Sequence, residues 1–186
     1  MKKIILMTLI LTGLMAHASS QVKLGEKVPD FSALDQNGKK WSLKPNLKDS
    51  EYTVIYFYPA AFTGGCTAEA CSYRDQKGNL AKVGASVVGI SGDSPETQEL
   101  FATEHALNFT MLSDESGKLA DLFGVPHGEG STIQREINGK QVDLTRRTTI
   151  QRWTFILDRD GTLIYKDTEV DAANDSSKVL KFLSSL

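Results

Sequence analysis

The chain contains two cysteines, Cys66 and Cys71, and both fall in the stretch YPAAFTGGCTAEACSYRD from Tyr58 to Asp75. A thiol can serve as a nucleophile, a metal ligand or half of a disulfide, and its surroundings decide which. The Gly64-Gly65 pair ahead of Cys66 suits the entrance to a helix, and residues Thr67 to Val83 are helix-compatible. Cys66 would then occupy the first turn, where unpaired backbone N–H groups and the positive end of the helix dipole favour a thiolate. Five positions along an α-helix separate two Cα atoms by roughly 8.7 Å, whereas a disulfide needs about 4.4–6.8 Å. A helical segment therefore lets the thiols join only after its first turns unwind, which describes a device with two states. A non-helical segment would make Cys66–Cys71 an ordinary loop disulfide, and spacing alone leaves both open.

The elements around this stretch alternate in kind. The run VKLGEKVPDFSALDQNGKKWSL alternates apolar and polar residues around Asn37-Gly38, the signal of a two-residue hairpin. Thr53 to Tyr58 is a β-branched and aromatic run ended by Pro59, a strand buried on both faces, and Ala85 to Ser91 is a second. Ser94 and Pro95 open a helix as N-cap and first helical residue. A short strand (Phe109 to Asp114), a short helix stopped by Gly124, a hairpin turning at Asp160-Gly161 and a last helix from Asn174 complete the series. Strands alternating with helices predict an α/β fold, a mixed central sheet flanked by helices in thioredoxin-like order. The polar segment from Val125 to Gln151 predicts an inserted hairpin around Asn138-Gly139.

The first residues, MKKIILMTLILTGLMAHASS, place two lysines before an apolar run and a small-x-small pattern at Ala16-His17-Ala18. They read as a secretory signal, residues 1–18, ahead of a single domain spanning 19–186, with the periplasm as the expected destination. The run is too short to span a bilayer as a helix, so no stable membrane insertion is expected after cleavage. The net charge of −2 falls further when Lys2 and Lys3 are lost, and no basic face suited to nucleic acid is visible. Export also permits disulfides, which keeps a secreted binding domain stapled by Cys66–Cys71 among the readings.

Three separated motifs then carry a resemblance over nearly all of the expected mature chain. Pro59-x-x-x-Thr63-x-x-Cys66 resembles the signature of peroxiredoxins, FTGGCTAEACSYRD is similar to their bacterioferritin comigratory protein or Q-type subgroup, and RWTFILDRDG matches the strand motif that begins at Arg152. The resemblance implies a thiol peroxidase acting on hydrogen peroxide or organic hydroperoxides without metal or organic cofactor. It implies Cys66 as the peroxidatic nucleophile and Cys71 as the resolving thiol of a redox disulfide. Pro59, Thr63 and Arg152 would complete the pocket, Gly65 would offer a backbone N–H to substrate, and Glu69 would hold an arginine in place. A thioredoxin-like dithiol reductant and a monomer or weak dimer are expected on the same ground. The subgroup commonly has Pro-Gly where this chain has Gly64-Gly65, and the 125–151 segment exceeds the subgroup norm.

An exported thiol–disulfide oxidoreductase on the same fold is the alternative, although such proteins typically carry Cys-x-x-Cys. Of the three histidines, His17 falls in the signal, His105 in a helix and His127 in a loop, with no ligand spacing for a metal. Arg146 and Arg147 read as a solvated hairpin face, Trp153 as a packing residue, and Asp158 and Asp160 as turn formers.

Overall fold

A computed structural model describes residues 21–137 and 139–186. The expected signal and Asn138 lie outside the described residues. The N-terminal hairpin forms as expected from β1 (Ser32–Asp35) and β2 (Lys40–Ser42). Its turn is shaped by the Asp35 carboxylate, which accepts from the N–H groups of Asn37 and Lys39. A one-turn helix α1 (Leu43–Asn46) and a 3₁₀ turn (Leu47–Asp49) follow, pieces too short to leave a periodic pattern in the sequence.

Next come β3 (Tyr52–Phe57), α2 (Gly64–Lys82), β4 (Ala85–Asp93) and α3 (Pro95–Glu104), the last capped by the Ser94 side chain accepting from Thr97 N. Then β5 (Thr110–Ser113) leads to α4 (Lys118–Phe123), stopped by Gly124 at φ +70°. The chain continues through β6 (His127–Ile137), β7 (Lys140–Ile150), β8 (Trp153–Asp158), β9 (Leu163–Asp167) and α5 (Asp175–Leu183).

The main sheet runs β2-β1-β5-β4-β3-β8-β9, with β3, β4 and β5 mutually parallel and the other pairs antiparallel. This open mixed sheet with flanking helices is the thioredoxin-like arrangement anticipated. Strand β3 lies inside it, between β4 and β8, and its alternating side chains feed two separate cores. Val54 and Tyr56, with Tyr58 just beyond the strand, join Cys66, Tyr73, Leu80, Phe101 and Val179 on the side of α2, α3 and α5. Ile55 and Phe57 join Trp41, Phe123 and Phe155 on the other. Fully burying one such side chain contributes about 1.5–3 kcal/mol, so the strand under the cysteine loop is among the firmest parts of the molecule.

The inserted hairpin is longer than its sequence suggested. Both strands have eleven residues, and β6 already begins at His127, which had read as loop. It joins the main sheet where β7 crosses the end of β4, pairing Gly92 with Thr148 and Asp93 with Arg146. A Cβ on Gly92 would stand 1.9 Å from the Thr148 carbonyl oxygen, so glycine is needed for the strands to approach. Leu144, Ile137 and Val142 turn toward the Phe101 core, and the hairpin is thereby folded against the helices.

Candidate active site

The site begins where β3 hands over to α2. Tyr58 and Pro59 leave the strand, residues 60–63 turn, and Gly64 opens a 19-residue helix with Thr63 as its N-cap. The Thr63 side chain makes no capping bond. Its hydroxyl donates instead to the Ala60 carbonyl at 3.0 Å, which leaves the oxygen's lone pairs as acceptors. The first bond back to the cap is Thr67 N–H to the Thr63 carbonyl at 2.8 Å. The N–H groups of Gly64, Gly65 and Cys66 therefore lie before the intrahelical ladder, where they can receive negative charge. Cys66 is the third helical residue and is buried.

Two features hold the loop in shape. The Asp93 carboxylate accepts from Ala61 N–H at 2.9 Å and from Ser91 Oγ at 2.7 Å. Phe62 adopts φ +62°, a left-handed conformation that costs a bulky residue about 1–2 kcal/mol. Its ring packs on Phe101 and His105, with centroids 5.2 and 5.9 Å away, and that packing offsets the strain.

Arg152 arrives from the start of β8, antiparallel to β3, and spans the helix entrance. One nitrogen, Nη2, donates to Cys66 Sγ at 3.2 Å, and the other, Nη1, donates to Glu69 Oε2. A Cβ on Gly65 would lie 3.5 Å from the same Nη2, so the guanidinium lies close over the first helical turn. The Glu69 side chain is wholly shielded from solvent, and Oε1 has no hydrogen-bond partner among the described residues. Burial pushes its carboxyl up to about 8 despite the pull of Arg152, and the nearby Asp175 charge adds to the rise. Burial works against the Arg152 charge too, but Glu69 and Cys66 outweigh it and hold the guanidinium above its usual range. Complete enclosure and an unpaired oxygen make burial the dominant influence on Glu69.

A second buried carboxylate braces the floor. Asp175 Oδ2 accepts from Tyr73 OH at 2.5 Å and Thr154 Oγ1 at 2.8 Å, joining α5 to α2 and to β8 two residues past Arg152. Tyr73 also stacks on Tyr56 at 4.8 Å, which seats α2 on β3. Behind the loop, Tyr58 OH donates to Gln98 Oε1, while Gln98 Nε2 donates to Ser91 Oγ and the Leu112 carbonyl. Asp93, Gln98 and Asp175 escaped the sequence reading because their partners are distant along the chain or lie in other elements.

The structure thus gathers Cys66, Gly65, Glu69 and Arg152 into direct contact, with Thr63 and half-buried Pro59 in the preceding loop. Cys71 stands apart, roughly 140° further round the same helix, half-buried beside Arg74. Both thiols are free and lie in a continuous helix, so the loop-disulfide alternative does not describe this fold. Arg146 donates to Thr149 and Ser131, and Arg147 pairs with Glu115, away from the cysteine. Trp153 packs against the core with Lys166 Nζ 4.4 Å from its ring centroid. The Asp158 carboxylate forms its turn by accepting from Asp160 and Thr162 N–H.

The chain matches the AhpC/TSA family over residues 24–166. It is 37% identical to peroxiredoxin Bcp of Escherichia coli K12 over 164 residues, covering 87% of this chain and 96% of the relative. It is also 37% identical to chloroplastic peroxiredoxin Q of Populus jackii over 169 residues, covering 90% of this chain and 70% of the relative. Among solved structures, peroxidoxin BcpB from Mycobacterium tuberculosis superposes with a TM-score of 0.73 at 34% identity, covering 89% of this chain and 99% of that one. The bacterioferritin comigratory protein of Xanthomonas campestris, described for its alkyl peroxide reduction, gives a TM-score of 0.67 at 26% identity over 83% and 90% of the two chains.

The enclosed Glu69 yields a pH prediction. A carboxyl raised from 4.5 in the open chain to about 8 in the fold binds its proton more tightly when folded, so it stabilises below the lower value and loses that contribution as pH rises through the upper one. Chemical denaturation from pH 4.5 to 8 should therefore show stability falling less steeply in Glu69→Gln than in the parent. Identical slopes would mean that Glu69 is ionised throughout.

Proposed function

From membership of the AhpC/TSA family, to which this chain belongs, we propose a peroxidase cycle in which Cys66 attacks the peroxide and Cys71 resolves the product. The chain is a thiol peroxidase of the peroxiredoxin Q and Bcp kind. The observation that carries the assignment of roles is the Arg152 guanidinium donating to Cys66 Sγ at the entrance of α2.

The Cys66 thiolate attacks the terminal oxygen of hydrogen peroxide or an organic hydroperoxide. As the new S–O bond forms, the O–O bond breaks and charge moves to the leaving oxygen, which takes a proton and departs as water or an alcohol. Donors must therefore follow charge from sulfur to oxygen. Arg152 and the first N–H groups of α2 supply them. Thr63, its proton committed to Ala60, is left to accept from the peroxide O–H and turn the correct oxygen toward sulfur. Pro59 closes the side of the pocket. Glu69 keeps one arm of the guanidinium fixed, and in its protonated form leaves the positive charge for the reacting atoms.

Cys66 is left as a sulfenic acid. Once the first turns of α2 unwind, the Cys71 thiol condenses with it, forming the S–S bond and releasing water. A dithiol of the thioredoxin kind then reduces the disulfide by exchange, returning two thiols. The alternative of a thiol–disulfide carrier lacks the paired sulfurs of Cys-x-x-Cys, and an arginine aimed at the first sulfur suits peroxide chemistry better.

The N-terminal signal supports export, with the periplasm as the site of action and a membrane-fed dithiol donor as reductant. The protein is proposed to act as a monomer or weak dimer. Intact mass of the protein recovered from the periplasm should correspond to a chain starting at Ser19; an uncleaved cytoplasmic chain would refute export.

With a reducing system present, Cys66→Ser should abolish peroxide turnover. Cys71→Ser should react once and stop as a sulfenic acid that a dimedone-type probe traps; full activity in both variants would remove the mechanism. Arg152→Lys should slow the first oxidation more than about tenfold, because a point charge cannot serve sulfur and Glu69 with one planar fork. An unchanged second-order rate would exclude that role.

A further inference from the structure

The inserted hairpin reaches the cysteine loop through a polar contact. Arg135 Nη1, on β6, donates to the carbonyl of Phe62, the residue immediately before the N-cap of α2. The partners are 73 positions apart in sequence. Phe62 is the left-handed residue of the loop, with its ring wedged against Phe101 and His105. Ile137, Val142 and Leu144 of the hairpin pack on the same core. A groove of about 250 Å³, whose lining includes Phe62, Thr67, His105 and Arg135 together with the acidic Glu104 and Glu136, marks where hairpin and helix entrance meet.

We propose that the Arg135–Phe62 bond is a latch on the resolving step, holding the entrance of α2 wound and so limiting how fast Cys71 reaches an oxidised Cys66. The latch presupposes the thiol peroxidase cycle above. Unwinding the first turns swings the Phe62 peptide, which is continuous with Thr63 and Gly64, and that movement breaks the bond to Arg135. A left-handed Phe62 released from its contacts relaxes toward ordinary backbone, which carries the chain away from the helical entrance. Arg135 is itself exposed, so water replaces the carbonyl easily and the latch can open in each cycle.

Its setting decides between two fates of the sulfenic acid. In one, Cys71 displaces water and forms the disulfide. In the other, a second peroxide transfers an oxygen, leaves as its alcohol or as water, and converts Cys66 to a sulfinic acid. A tighter latch favours the second at high peroxide.

Arg135→Met keeps the aliphatic stem and removes the donors, while Arg135→Lys retains one. In the reduced protein, hydrogen exchange of the amides from Thr67 to Ser72, the first of which opens the intrahelical ladder, should quicken about three- to tenfold in Arg135→Met, the range expected for losing one hydrogen bond of ordinary net strength. The resolving phase in stopped-flow fluorescence should quicken by a similar factor and less sulfinic acid should accumulate, while oxidation by the first peroxide stays within about twofold; Arg135→Lys should resemble the parent. Unchanged exchange and an unchanged resolving phase in Arg135→Met would overturn the latch. Exchange requires no peroxide, so a parent chain inert to oxidant would refute the peroxidase cycle while the exchange result still judged the contact.

Discussion

Two sulfurs set five residues apart on one α-helix cannot touch, and the rest of the molecule is arranged around that prohibition. The wound helix presents Cys66 at its entrance, surrounded by unpaired N–H groups and the Arg152 fork. In the proposed cycle the unwound helix brings Cys71 within bonding range and dismantles the same site. Attack and resolution therefore need different backbones, and the fold supports both by dividing α2 into unequal parts. Beyond Cys71 the helix is fastened by Tyr73, which stacks on Tyr56 and donates to Asp175, and by fully buried Leu80. Ahead of Cys66 there is no side-chain cap, a pair of glycines and a strained Phe62. The fastenings thus leave the melting that the proposed cycle requires to the end where the chemistry occurs.

The charged groups follow the same division. Glu69 and Asp175 are both buried, each has one oxygen without a partner among the described residues, and burial holds both above the usual carboxylate range. Such groups are costly to enclose. Asp175 secures the stationary part of α2 to α5 and β8, whereas Glu69 grips the arginine that serves the moving part. The remote hairpin adds a further restraint at Phe62, set by an arginine that bonds to the loop backbone.

Much of this was legible in local patterns. Asn37-Gly38, Ser94-Pro95 and Gly124 marked a turn, a helix start and a helix stop because each acts on its immediate neighbours. The buried run ending at Pro59 announced an interior strand, and the cysteine spacing announced the conflict between helix and disulfide. The one-turn α1 was invisible because a single turn establishes no period. Hairpin β6–β7 was foreseen but underestimated, since its outer face is polar and the apolar residues that anchor it, Ile137, Val142, Leu144 and Ile150, are widely spaced.

By itself, the order of residues determined which atoms could react: a thiol at a helix entrance, a second thiol it could not reach, an arginine on a strand and a glutamate one turn from the first thiol. Their types and spacing are covalent facts, and helix geometry converts them directly into distances. Tertiary structure alone decided that Arg152 would bridge Cys66 and Glu69 across 83 positions or more, that Glu69 would be sealed from water, that Thr63 would turn its proton to Ala60, and that Arg135 would hold the loop. Burial and long-range hydrogen bonding arise only once β3 and β8 pair and the helices close over them, and no local pattern encodes which carboxylate will lose its water.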